Sequence, residues 1–380
     1  MDLQFDTEHT ILGDSAERML AENYDFAARH ADTAGGPAWA DDIWRQFAEM
    51  GWLAMPFSEE DGGLGAGMVE ISILMEAFGR HLVVEPYLST VVLCGGLVAA
   101  IGTPEQRADI LPAIGEGSLR FAYMGGAAGS EAEVEAAQNG DGYVLTGSRK
   151  SVIDAPMADR LVVPAKLGGG TGVYVVECAA PGVTIRPHRT VQNGYAADVE
   201  LAGAQVAASA LLGDQEDASE AIDCALDHAI AALSADAVGA IKRLVEETIE
   251  YTKTREQFGR PLSKFQVLQH RMVDMKVAEE EARAVTLLAV LSVDADAGAR
   301  RRAVSSAKSK VGRCARFVGQ SAIQTHGAIG TTQELSVGNY VKRLMVFETL
   351  FGSTAHHTER YAAIIDDPEI AGASLLLSPS

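Results

Sequence analysis

The spacing of apolar residues divides the chain into three consecutive stretches. From about residue 5 to 115 apolar side chains recur at helical spacing, as in the segment 41–50. Gly51 follows that segment at the position where glycine commonly ends a helix. Thr103, followed directly by proline, predicts the start of a further helix. We therefore expect an N-terminal helical domain over residues 1–117.

Between about residues 118 and 215 the apolar pattern changes to the alternation of β-strands. Strand-length runs occur at 143–147, 160–164, 172–177 and 182–186, and turn residues, glycine or proline separate them. No helix long enough for a parallel crossover intervenes between them. The pattern therefore predicts an antiparallel β domain over residues 118–216 rather than a Rossmann-type unit.

Helical spacing returns after residue 217 and holds over long segments. One apolar stripe extends from Ile222 to Ile249, and two more long helices are predicted at 264–293 and 301–324. Long amphipathic helices with short connections indicate a bundle, which we assign to residues 217–380. The predicted fold class is α+β, mainly α.

Composition and charge exclude several classes of protein. Lys and Arg total 31 against 52 Asp and Glu, so the net charge of −21 argues against nucleic acid or an anionic membrane as a partner. No apolar run reaches the roughly 18–20 residues that span a bilayer, and the N-terminus lacks the features of a secretory signal. The four cysteines are widely spaced without a CxxC pair, so we expect no disulfide or zinc site and a reducing, cytoplasmic location.

Two segments of the predicted bundle carry candidate binding residues. In 251–262 an Arg-x-x-Phe-Gly turn offers the Arg255 guanidinium for bidentate phosphate contact and the Phe258 ring for packing on adenine. In 324–330 a Gln-x-x-Gly-x-x-Gly loop at a helix end lets backbone N–H groups approach an anion. Each segment alone is equally typical of an ordinary helix-ending turn.

In this order and with this architecture, the two segments resemble those of the acyl-CoA dehydrogenase family. The resemblance covers nearly the whole chain and includes the glycine-rich segment 60–65 and the segment 127–131 at the start of the predicted β domain. It implies a C-terminal four-helix bundle, bound FAD and oxidation of acyl-CoA thioesters to enoyl-CoA. In that reaction a carboxylate removes the α proton while flavin N5 takes the β hydride. It also implies a tetramer built as a dimer of dimers, in which each FAD is shared across a subunit interface.

The resemblance identifies the residues expected to bind cofactor and substrate. Those expected to hold the ADP half of a neighbouring subunit's FAD are Arg255, Gln257, Phe258, Leu262, Gln266, Gln324, Thr325, His326 and Gly327. Ser130 is the candidate contact for the acyl-CoA substrate. No metal site is expected, because the adjacent His356 and His357 do not face each other on a helix. Asp294 and Asp296 lack the other ligands of a calcium loop and are interpreted as a solvated helix end.

Both positions at which the family carries its base lack a carboxylate here. Phe351 stands where a glutamate is expected near the C-terminus, and the alternative position in the first bundle helix falls on Ala229 and Ile230. A base of suitable pKa is needed to remove the α proton. No catalytic residue is therefore predicted in this chain.

The residues that line the flavin ring in the family are also replaced. The segment 124–131 keeps the family's length but not its Thr-Glu-Pro sequence. In 151–154, Ser151 and Ile153 replace a tryptophan and a threonine, which removes an apolar contact and a hydrogen bond. The residues that would hold the chain's own flavin are therefore altered, while those that would reach a neighbour's flavin are kept.

This asymmetry predicts a subunit of a hetero-oligomer. A homologous catalytic partner would supply the flavin site, the base and the acyl pocket, as an α2β2 heterotetramer. The arrangement resembles the heteromeric acyl-CoA dehydrogenases of bacterial steroid side-chain and dicarboxylic acid catabolism, such as the small subunit of pimeloyl-CoA dehydrogenase. One alternative is an independent homo-oligomeric flavoenzyme, an oxidase or desulfinase, with Glu348 or Asp154 as a non-standard base. Another is a non-enzymatic scaffold relative, which would have no use for a phosphate-facing arginine.

Overall fold

The computed structural model of the chain describes residues 6–24, 40–127, 129–192, 194–215, 217–332 and 335–365. The helices are α1 (Thr7–Asn23), α2 (Asp41–Glu49), α3 (Met68–His81), α4 (Gly96–Ile101), α5 (Pro104–Gly115), α6 (Ser219–Thr254), α7 (Gln266–Ser292), α8 (Ala297–His326), α9 (Val337–Thr349) and α10 (Thr354–Ile365). The strands are β1 (Phe121–Tyr123), β2 (Val134–Asn139), β3 (Gly142–Ile153), β4 (Arg160–Leu167), β5 (Gly170–Glu177), β6 (Val183–Arg189), β7 (Tyr195–Ala207), β8 (Glu256–Gln257) and β9 (Arg260–Pro261).

The ends of the N-terminal helices follow from local chemistry. After α2, Gly51 takes a φ of +74°, a left-handed conformation that glycine adopts at little cost. Thr103 caps α5 by accepting a hydrogen bond from the Gln106 N–H, and the Gln106 side chain accepts one from the Thr103 N–H in return. A π-helical segment, Leu88–Gly95, leads directly into α4.

The middle of the chain forms one seven-stranded sheet with the order β1-β4-β2-β3-β7-β6, and β5 pairs with β4. The prediction of an antiparallel sheet was wrong in one respect, because β1 and β2 both pair with β4 in parallel. A parallel pair needs a long connection, which is usually a helix. Here the connection from β2 to β4 is made by β3 and a short 3₁₀ turn, Ala155–Met157. The sheet is therefore mixed.

The C-terminal helices share a core with the N-terminal ones. Buried side chains of α1 to α5 pack in one apolar cluster with residues of α6, α7 and α8. By length and composition α6 could cross a membrane, but 89% of its most apolar window is buried inside the protein, as expected for a core helix. In the described part of the chain this region has five helices rather than the four expected, since α10 packs on α8.

The backbones of α3 and α6 touch at two glycines. A Cβ added to Gly79 would lie 1.8 Å from the carbonyl oxygen of Asp236, and one added to Gly239 would lie 1.9 Å from that of Glu76. No side chain fits in either space. The contact fixes the N-terminal helices against the longest helix of the fold.

Candidate functional site

A cavity of about 590 Å³, here named the cleft, lies between the sheet and the turn that joins α9 to α10. It is lined by Ser89, Tyr123, Gly125, Gly126, Ala127, Arg149, Lys150, Ser151, Val152, Ile153, His188, Arg189, Thr190, Val191, Val346, Thr349, Leu350, Phe351 and Gly352. Residues 125–127 and 151–153, from the two altered segments of the sequence, therefore line the same cavity as Phe351.

The sheet side of the cleft is basic. Arg149, Lys150, His188 and Arg189 line it, and among the described residues no carboxylate does. Ser151, at the expected tryptophan position, is exposed and has a φ of +54°. Its backbone N–H donates a hydrogen bond of 3.1 Å to Asp198. The cleft thus has room for a ligand but offers no aromatic ring at the position where the family's tryptophan is expected.

The opposite side of the cleft is a rigid apolar turn. Phe351 is half-buried, has a φ of +56° and packs against two apolar cores. The carbonyl of Phe351 accepts a hydrogen bond of 3.0 Å from Nε2 of buried His357. A Cβ on Gly352 would lie 2.5 Å from the His356 ring, so the turn requires glycine there. At this position the chain holds a fixed phenylalanine and no proton acceptor.

The residues that support this turn are ionisable, and burial shifts the pKa of each toward its neutral form. Burial lowers the pKa of His357 to about 3. Burial likewise lowers the pKa of Lys308 to about 7, and its Nζ donates a hydrogen bond to the carbonyl of Phe347 at the end of α9. Neither residue was predicted from the sequence, because an isolated histidine or lysine within a helix carries no signal of its burial. Ala229, at the second predicted base position, is fully buried.

The two candidates for a non-standard base lie outside the cleft. The carboxylate of Glu348 accepts hydrogen bonds from the N–H and the hydroxyl of Thr354, at 3.1 and 2.6 Å. Asp154 lies behind Ser89, whose hydroxyl lines the cleft and donates a hydrogen bond of 2.5 Å to the Asp154 carboxylate. Burial raises the pKa of Asp154 to about 7. Of the two, only Asp154 has a hydrogen-bonded path to the cleft.

The predicted Arg-x-x-Phe-Gly turn forms an exposed hairpin of β8 and β9, which we call the Phe258 hairpin. Its two-residue loop, Phe258–Gly259, has φ values of +55° and +75°, as in a type I′ turn. The Phe258 side chain is 90% exposed, although it is large, apolar and strained. Such an exposed, strained aromatic residue points to a binding role.

The second predicted segment lies beside the Phe258 hairpin. The His326 ring stacks on Tyr251, near the end of α6, with ring centroids 4.2 Å apart. Gly327 ends α8 with a φ of +70°. The contact between Tyr251 and His326 therefore brings both segments to one end of the bundle.

The candidate cofactor residues differ in exposure. The exposed ones are Arg255, Gln257, Phe258, Gln266, Gln324 and Gly327, and Leu262 is half-buried. Thr325 and His326 are buried and form hydrogen bonds within α8, to the carbonyls of Ser321 and Ala322. The substrate candidate Ser130 is exposed, lies outside the cleft and donates to the carbonyl of Ala127.

Comparison with known proteins agrees with this architecture. The family model for the acyl-CoA dehydrogenase N-terminal domain matches residues 6–118, and that for the C-terminal domain matches residues 220–365. The acyl-CoA dehydrogenase FadE27 of Mycobacterium tuberculosis is 31% identical over 309 residues, which is 79% of this chain and 81% of FadE27. The chain belongs to the acyl-CoA dehydrogenase family.

Solved structures of the family match this member over almost its full length. The ChsE4-ChsE5 complex from Mycobacterium tuberculosis has a chain that superposes with a TM-score of 0.89 at 26% identity, covering 97% of this chain and 100% of that one. A variant of the Tcur3481-Tcur3483 steroid ACAD gives a TM-score of 0.85 at 27% identity, covering 94% and 97%. The expected family and fold class are thereby confirmed.

Members of this family bind FAD, and the two candidate places for that cofactor in this chain offer different residues. In the cleft, Ser151 and Ile153 provide no stacking ring, and the Ser151 hydroxyl lies 3.3 Å from Nε2 of His188. At the Phe258 hairpin, an exposed guanidinium and an exposed aromatic ring lie close together, which suits a phosphate and a base. The residues at the Phe258 hairpin thus suit the nucleotide half of FAD, whereas the cleft lacks the aromatic residue expected beside its ring.

Proposed function

We propose that this chain is the base-deficient subunit of a FAD-dependent acyl-CoA dehydrogenase that catalyses α,β-dehydrogenation of an acyl-CoA thioester. A homologous catalytic subunit would provide the base, the flavin site and the acyl pocket. The observation that carries this proposal is the cleft: Phe351, which stands at the predicted base position, lines it, and no carboxylate among the described residues does. Without a proton acceptor the α proton cannot be removed at a useful rate.

The Phe258 hairpin supports a role toward the partner's cofactor. Bound FAD would supply the hydride acceptor, and the residues of this chain would hold its ADP half. Arg255 would neutralise and orient the diphosphate, because its planar guanidinium can donate two parallel hydrogen bonds. Phe258 would cover the adenine, and Gln257, Gln266 and Gln324 would offer amide hydrogen bonds. Thr325 and His326 would act indirectly by fixing the end of α8, since their side chains are buried.

An exposed apolar stripe on α7 supports an obligate partner. Val267, Val273, Val277, Leu288 and Leu291 are 50–70% exposed. Val273 and Val277 are four residues apart and lie on one face of the helix. Large exposed apolar side chains concentrated on one helix are typical of an association surface. We assign the partner subunit to this face.

The heteromeric structures among the relatives favour the same arrangement. ChsE4-ChsE5 and Tcur3481-Tcur3483 each name two different chains, and the second is described as a steroid enzyme. An α2β2 heterotetramer acting on a steroid or other lipid thioester in the cytoplasm is therefore the assembly we propose. The acyl group would be selected mainly by the partner.

Co-expression with a homologous subunit that retains the base tests the proposal. Native mass spectrometry should report about one FAD per heterodimer, and the R255Q/F258S variant should lose most of this FAD while still assembling. R316Q changes an exposed arginine of α8 that lies about 12 Å along the helix from Gln324 and pairs with Glu348 at 3.6 Å. It serves as the matched control and should keep its FAD. Isolation of this chain alone with one FAD per subunit and dehydrogenase activity would refute the proposal.

The alternative of an independent flavoenzyme has one observation in its favour. Asp154 carries a pKa of about 7 and reaches the cleft through the Ser89 hydroxyl, so it could hold or release a proton near neutral pH. If a purified homo-oligomer shows turnover, D154N should abolish it, whereas E348Q should not. Unchanged turnover in D154N would eliminate this alternative.

A further inference from the structure

A second cavity of about 570 Å³ lies between the start of α3, the segment 88–101 and the first turns of α6. Most of its wall is apolar and includes Phe57, Met68, Ile71, Val91 and Val92. We call it the apolar cavity. It shares no lining residue with the cleft.

One wall of the apolar cavity carries a cluster of reactive and charged side chains. Cys224 and His228 lie one turn apart on α6, and Sγ of Cys224 is 3.8 Å from Nδ1 of His228. Nε2 of His228 is 2.9 Å from a carboxylate oxygen of Asp294, in the loop between α7 and α8. The sequence did not reveal this cluster, because Asp294 is 66 residues from His228 along the chain.

The hydrogen bonds of His228 fit its doubly protonated form. Nδ1–H donates a hydrogen bond of 2.9 Å to the carbonyl of Cys224 and also faces the Cys224 sulfur. Nε2–H donates a hydrogen bond to the carboxylate of Asp294. Burial would lower the pKa of His228, but the contacts with Cys224 and Asp294 outweigh burial and raise it to about 9. The ring is therefore an imidazolium at neutral pH.

The other charges that face the cluster come from two elements. Arg300 of α8 lines the cavity and interacts electrostatically with Cys224. Arg300 is itself paired with Asp227 and Glu220 of α6, at 3.1 and 2.6 Å. Cys224 thus lies in the wall of an apolar cavity with an imidazolium nitrogen 3.8 Å from its sulfur and a guanidinium as a further neighbour.

We propose that Cys224 is a covalent modification site for α,β-unsaturated carbonyl compounds that carry an apolar group. The apolar group would enter the cavity, and the Cys224 sulfur would bond to the β carbon as the C=C π bond breaks. The proton held by His228 would pass to the α carbon, which leaves a saturated thioether and a neutral imidazole. No oxidant or reductant is consumed. This site is independent of the cleft and of the proposed function.

The other cysteines provide internal controls. Cys94 and Cys314 are buried, so they should react only if the protein unfolds. Cys178 is partly accessible, but burial and the neighbouring carboxylates of Asp159 and Glu177 raise its pKa to about 12. A folded sample should therefore show fast labelling at Cys224 and slow labelling at Cys178.

The test treats the purified full chain with N-ethylmaleimide and N-cyclohexylmaleimide and follows each cysteine by peptide mass spectrometry. At pH 7 Cys224 should react at least about tenfold faster than Cys178. The cyclohexyl reagent should be faster than the ethyl reagent at Cys224 only, because the ring fits the apolar cavity. Equal rates at Cys224 and Cys178, or no preference for the larger group, would overturn the proposal.

Variants separate the role of the cluster from simple exposure. H228Q should slow labelling of Cys224 about tenfold at pH 7, because it removes the proton donor beside the sulfur, and D294N should have a smaller effect in the same direction. H270Q, which changes an exposed histidine on α7, should match the wild type. Protection of Cys94 and Cys314 in each variant shows that it is folded. An unchanged rate at Cys224 in folded H228Q would also overturn the proposal.

Discussion

Asp154, Lys308 and His357 are ionisable side chains buried around the cleft, each with a pKa shifted toward its neutral form. Burial is the largest cause in all three cases. A charged group removed from water costs free energy unless it is paired, so these residues link the stability of the cleft to pH. The pH dependence of stability has opposite signs for Asp154 and His357.

For Asp154 we expect stability to fall as pH rises. Its pKa rises from 3.8 in the unfolded chain to about 7 in the folded one, so the folded state binds the proton more tightly. Between about pH 4 and 7 the wild type should lose up to about 4 kcal/mol of unfolding free energy from this group. The unfolding free energy of D154N should not show this dependence on pH. It should be higher than that of the wild type at pH 8 but not at pH 4. Urea unfolding at both pH values measures this difference, and parallel pH profiles would contradict it.

For His357 the expected effect has the opposite sign. The folded pKa of about 3 is below the ordinary 6.5, so the folded state excludes a proton that the unfolded chain binds. Stability should therefore fall as pH drops below about 6.5. H357Q cannot be protonated but can still donate to the carbonyl of Phe351, so its Tm should decline less between pH 7 and 4. An equal decline in the wild type and H357Q would contradict this.

At the scale of elements, helices were predictable where periodicity and end signals agree. The stripe from Ile222 to Ile249 lies on α6, and the segments 264–293 and 301–324 became α7 and α8 with ends displaced by at most four residues. Thr103 caps its helix as expected. In each case residues near one another in sequence carry the whole signal.

The strands were harder to predict because their signal is not local. β7 is rich in alanine, so its apolar alternation is weak. Its pairing with β3 and β6 stabilises it, and that pairing cannot be read from its own sequence. The parallel pairing of β4 with β1 and β2 depends on tertiary contacts alone. For the same reason the residues of the cleft could be inferred only by resemblance, and the hydrogen bond between Ser89 and Asp154 not at all.

The contact of α3 with α6 gives a prediction for backbone packing. G239A should destabilise the protein by about 2 kcal/mol or more, because its Cβ would overlap the carbonyl oxygen of Glu76 and force the helices apart. G96A is the matched control, since a Cβ on Gly96 of α4 meets no atom within 4 Å. It should be neutral or stabilise by about 0.5–1 kcal/mol. Denaturant unfolding of both variants checks this, and equal effects would be inconsistent with it.

At the scale of the whole molecule, the exposed stripe of α7 should control assembly. V277E places a charge at a position that is 53% exposed in the isolated chain. In the proposed assembly this position is buried against the partner subunit. Burying an unpaired charge costs free energy. The dissociation constant of the complex should therefore rise at least about tenfold in this variant, and smaller species should predominate. T184E adds the same charge on exposed β6 and should leave the mass unchanged. Mass photometry across a dilution series distinguishes the two, and an unchanged V277E complex would show that the stripe is not the interface.

The unbroken helix α6 makes the molecule suitable for distance measurement. Thirty residues separate Cys224 from Thr254, which corresponds to about 45 Å along the helix axis. Paired spin labels at Cys224 and at T254C would report that separation within one chain, and a second chain in the assembly would add further, different separations. One helix therefore provides an internal length standard against which the spacing of subunits in solution can be read.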